Sequence, residues 1–63
     1  MSIVLGYTKA SDDEDVVIGN YDSPSLAEDA IGSQTLDDVA TYWLASFINP
    51  ETDEPNIFAY IDA

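Results

Sequence analysis

The acids of this chain fall in clusters, at residues 12–15, 22, 28–29, 37–38, 51–54 and 62, and the clusters limit where regular structure can form. An ionised carboxylate is not buried without a partner, and the only basic side chain facing thirteen acids is Lys9. Each cluster must therefore sit in water, at a turn or on an outward face. The core has to come from the apolar runs between them. Those runs suffice, because hydrophobic residues are 46% of the chain and include Trp43, four tyrosines and two phenylalanines. That is too apolar for a disordered acidic tail. Sixty-three residues make one domain, 1–63, near the lower size limit for folding without a staple.

Residues 2–9, "SIVLGYTK", read as a strand with Ile3, Leu5 and Tyr7 on one face and Val4, Gly6 and Thr8 on the other. Residues 16–21, "VVIGNY", form a second β-branched run, and the acidic "ASDDED" between them predicts an antiparallel hairpin with a charged loop. Ser25 followed by Glu28 reads as a capping box, with Gly32 as the stop of a short helix. Thr35 and Asp38 read as a second box, opening a helix from Leu36 to about Ile48, before Pro50. At helical spacing Leu36, Val39, Ala40, Trp43, Leu44 and Phe47 share one broad core stripe, with Tyr42 on its flank. "NPETDEPN" is a loop between two prolines, and "NIFAYIDA" a last strand with Ile57, Ala59 and Ile61 opposite Phe58, Tyr60 and Asp62. No internal repeat is expected. The order β-β-α-α-β predicts an α+β fold: a small three-stranded antiparallel sheet with helices packed on one face. The other face would leave Val4, Phe58 and Tyr60 either to shield one another or to meet a partner, including a second copy in a homodimer.

The residue types that are missing narrow the chemistry. Histidine, arginine and cysteine are absent, and most general-base, nucleophile and oxyanion designs need one of them. A chain this short also cannot readily build a deep, water-excluding cleft beside a core, so an enzyme is not expected. Glu28–Asp29 and Asp37–Asp38 are expected at solvated helix starts, complementing the dipole. "DDEDVVIGN" lacks EF-hand spacing, and the loop from Asn49 to Glu54 offers only adventitious cation contacts. No metal or cofactor is expected. With no thiols there is no disulfide framework and nothing points to an oxidising compartment. The longest apolar run is shorter than a membrane span and Met1 is followed by no basic leader, which predicts a cytoplasmic location. Direct nucleic-acid binding is excluded by the lack of any basic patch.

What remains is the net charge of −12. Duplex DNA carries one charge per about 1.7 Å, so twelve charges occupy about 20 Å of axis, close to the roughly 27 Å diameter of a chain this long. Solubility alone is served by about 2 to 8 charges. In size and composition the chain resembles the small acidic inhibitors encoded by bacteriophages: anti-CRISPR, anti-restriction and DNA-glycosylase inhibitor proteins. The resemblance implies a nucleic-acid mimic acting in the host cytoplasm on a basic nucleic-acid-binding protein of the nuclease or CRISPR-effector class. The expected contacts are Asp12, Asp13, Glu14, Asp15, Asp22, Glu28, Asp29, Asp37, Asp38, Glu51, Asp53 and Glu54. Tyr42, with Tyr21 and Tyr60, would add neutral anchors. Two alternatives share the charge: an acidic protein-binding module or antitoxin for some other basic protein, and a small domain adapted to molar salt. The absence of arginine counts against the last.

Overall fold

A computed structural model describes residues 2–62. Five elements follow in order: β1 (Ile3–Thr8), β2 (Asp15–Tyr21), α1 (Pro24–Ile31), β3 (Thr41–Ile48) and β4 (Pro55–Asp62). The strands form one antiparallel sheet in the order β2-β1-β3-β4. The hairpin at the start and the strand at the end lie where the alternation predicts. The expected three-stranded sheet with two helices is overturned by β3, which takes the place of the second helix.

The reason lies in where β3 sits. It is an inner strand, paired along both edges by β1 and β4, and Tyr42, Trp43, Leu44 and Ala45 are buried in succession, on alternating faces. A continuous apolar run has no period of its own and fits a broad helical stripe as well as a buried strand. Composition separates the two: Thr41, Tyr42, Trp43, Phe47 and Ile48 are β-branched or aromatic, and these favour the pleat over the helix. Leu36 and Phe47, expected in the core, are instead 39% and 51% exposed.

Two apolar clusters follow from strand alternation. On one face Leu5 and Leu44 pack under Ala27 of α1, bordered by Ile3, Ile18, Tyr21, Ala59 and Ile61. On the other Val4, Trp43 and Ala45 pack with Ile48 and Ile57. Trp43 is fully buried because Gly6, its cross-strand partner, leaves room for the indole. A Cβ at Gly6 would overlap Cζ2 and Cη2 of Trp43 and lie 2.6 Å from the Val16 carbonyl oxygen.

The helix starts two residues earlier than the Ser25 box predicts. Ser23 is the cap, its Oγ accepting from the Leu26 amide at 3.3 Å, with Pro24 opening the first turn. Gly32 does end the helix, but in the right-handed region (φ −62°, ψ −20°). Glu28 and Asp29 thus lie in the second half of α1, and Asp37 and Asp38 in the loop that follows, not at helix starts.

The two hairpins repeat each other at an interval of forty residues, as Asp13 and Asp53 show: both have φ of 58°. The Lys9 amide donates to the Glu14 carbonyl and the Asp13 amide to that of Lys9. In the second hairpin Asn49 donates to Glu54 and Asp53 to Asn49 in the same way. Both loops close on Asp-Glu. Each outer strand then carries a bulge: the pairing skips Ile18 in β2 and Phe58 in β4. The inner strands pair antiparallel, Val4 with Ala45 and Leu5 with Leu44, so the two hairpin loops stand at opposite ends of the sheet.

Candidate protein-interaction surface

Every acid except the half-buried Asp38 is exposed, and the register sorts them by location. Asp15, Thr8, Thr41 and Asp62 form one row across all four strands at one end of the sheet. The 9–14 loop rises from this row, and the loop before β3 is fastened to it. The Ser11 amide and hydroxyl donate to the two carboxylate oxygens of Asp38 at 3.0 and 2.6 Å. The Ala40 amide donates to the Thr8 carbonyl at 2.9 Å. Asp12, Asp13, Glu14, Asp15, Asp37, Asp38 and Asp62 are therefore brought together at one end.

Three of these carboxylates are held in place. Asp12 accepts from the Glu14 amide at 3.1 Å, Asp15 from the Thr8 hydroxyl at 2.7 Å, and Asp38 from Ser11. These bonds fix the oxygens without neutralising them. Four strands span about 14 Å at about 4.8 Å per gap, a length over which duplex DNA carries about eight phosphates. The charge density of this end is of that order.

The opposite end carries Asp22, beyond β2, and the 49–54 loop with Glu51, Asp53 and Glu54. Glu28 and Asp29 lie on α1 between the two ends. The expected sites thus form two groups, with the helix pair joining neither. Tyr42 is not on an exposed flank: it is 7% exposed and its ring lies 6.5 Å from that of Tyr7 at 57°. Tyr21 is half-buried under α1. Tyr60, at 67%, is the expected anchor that does reach solvent, accompanied by Phe58 and Phe47, each 51% exposed.

Beside the 49–54 loop lies a notch of about 180 Å³ lined by Phe47, Asn49, Thr52, Glu54, Pro55 and Asn56. The sequence reading placed Phe47 in the core and missed this site. The Asp-Glu dipeptide that recurs at 13–14 and 53–54 marks the two like loops but gives no signal for the notch itself. Among the described residues no group of three or more acidic side chains converges on a point where a metal ion would be held, and no helix is long and apolar enough to cross a membrane.

No protein-family model, curated protein or solved structure matches the chain.

Proposed function

We propose that this protein is an acidic nucleic-acid mimic, of the phage inhibitor kind, that occupies the cationic DNA- or RNA-binding site of a host defence or DNA-processing protein. The observation that carries the proposal is the gathering of Asp12–Asp15, Asp37, Asp38 and Asp62 at one end of the sheet, on hydrogen-bonded loops and at phosphate-like density. Their pre-set placement lowers the ordering cost of binding. Their unbalanced charge steers a cationic cleft toward them from a distance. Enzymatic action forms no part of this proposal.

The test is competition. Binding to a panel of purified nucleases and RNA-guided effectors is measured by surface plasmon resonance between about 50 and 200 mM salt, with and without duplex. For six or more charges engaged, affinity falls by about a thousandfold or more across that range, and duplex displaces the protein in proportion to its own affinity. A complex that persists in excess duplex, or tightens with salt, overturns the proposal.

A further inference from the structure

We propose that the notch lined by Phe47 and Glu54 is a receptor for one arginine side chain of the cationic partner. The inference rests on the function proposed above and adds to it a second, neutral-plus-charged contact at the far end of the sheet.

Size decides first. At about 180 Å³ the notch lies below the roughly 300–1,000 Å³ of pockets that enclose small-molecule ligands. It suits a single side chain. Its lining decides which one. Phe47, half-exposed, lines it together with the exposed Glu54, Thr52 and Asn56, residue types that carry a ring, a carboxylate, a hydroxyl and an amide. Among the described residues no side-chain hydrogen bond engages Glu54, Thr52 or Asn56, whereas Asn49 Oδ1 accepts from the Glu51 amide at 2.9 Å. A guanidinium is planar, weakly hydrated, stacks on an aromatic face and pairs edge-on with a carboxylate. An ammonium is a compact, strongly hydrated charge that gains less from the ring.

The first hairpin differs at the corresponding positions. Tyr7 stands forty residues before Phe47, but its ring is packed against Tyr42. Lys9 stands at the position of Asn49, so that loop carries a cation of its own. The second loop carries none, and the chain has no arginine to supply one. Glu51 and Asp53 on the same loop add attraction for a cation arriving from outside.

The probe is Nα-acetyl-arginine amide, titrated into the whole isotope-labelled protein at about 20 mM salt, with the blocked lysine amide in parallel. The expected shifts concentrate on Phe47, Asn49, Thr52, Glu54 and Asn56, and the arginine methylene protons move upfield under the ring. Arginine binds at least about threefold more tightly than lysine. Glu54→Gln and Phe47→Leu each weaken it by about fivefold, with circular dichroism verifying the fold. Neutralising Asp12, Asp13 and Glu14 to the amides leaves the notch shifts in place. Equal shifts at both acidic ends, equal affinity for lysine, or insensitivity to both substitutions overturns the inference. Arginine seated in the notch of a protein that binds no nucleic-acid-binding partner would sink the proposed function and leave the receptor standing. The reverse result would do the opposite.

Discussion

Gly6 is the residue on which the packing turns. Its missing side chain is the space that Trp43 fills, and the Val16 carbonyl closes the other side. Gly6→Ala forces the indole or the bulged strand to move, at a cost of about 3 kcal/mol in chemical denaturation. Gly19→Ala serves as the control, because its nearest neighbours are the Tyr21 ring atoms at 3.8 and 3.9 Å, and it changes stability by less than about 1 kcal/mol. Asp13 and Asp53 hold the left-handed conformation that glycine adopts without strain. Asp13→Gly and Asp53→Gly should each stabilise the fold by about 0.5–1 kcal/mol. Asp13→Ala, which removes the same charge but keeps the strain, should show no such gain. Equal gains from alanine and glycine would mean that repulsion, not backbone geometry, is the cost at these sites.

At the level of elements, the helix cap offers a direct comparison. Ser23→Ala removes the oxygen that receives the Leu26 amide and costs about 1 kcal/mol. Ser25→Ala, at the second position inside the helix, removes no cap and gains up to about 0.5 kcal/mol by propensity, and thermal melts of the two variants check the ordering. The same local details show how much of the fold was legible beforehand. β2 and β4 are outer strands with exposed positions between half-buried ones, so their alternation was visible. β1, buried in succession at Val4, Leu5 and Gly6, was legible because its apolar run is too short for a helix. All three lie within about a residue of the expected bounds. β3 is buried in succession from Tyr42 to Ala45 and lost that alternation. The helix cap was misplaced because Ser23 and Ser25 both precede an apolar turn, and only the Pro24 between them favours the first. Among the expected contacts, the acids were recognisable from charge alone. Tyr42 falls on a flank only at helical spacing; in the strand it is buried. The notch was invisible for the same reason, since it needs Phe47 and Asn56 on adjacent strands.

Over the whole molecule the governing quantity is the distance between like charges. The Cα trace measures 29 × 27 × 15 Å. At 0.01 M salt the Debye length of about 30 Å spans it, whereas at 0.1 M it shrinks to about 10 Å. The two acidic ends then cease to repel each other across the sheet. Melting temperature should rise with sodium chloride and gain most of its increase by about 0.3 M. A fold that forms only near about 1 M would instead indicate adaptation to brine. The sheet itself was built to tolerate this load, with the carboxylates at its ends and its faces left to the apolar clusters.

The matched loops carry a consequence of their own. Lys9–Glu14 and Asn49–Glu54 trace the same path while sharing only their final two residues. Asp12 and Asn49 each brace their loop through a backbone amide, at different places, and the other unshared positions take no such part in turning the chain. The scaffold offers two interchangeable cassettes, at opposite corners, whose chemistry can be rewritten without disturbing the strands beneath. One has become a cluster of fixed anions and the other a shallow seat beside an aromatic ring, a division of labour between two copies of one turn.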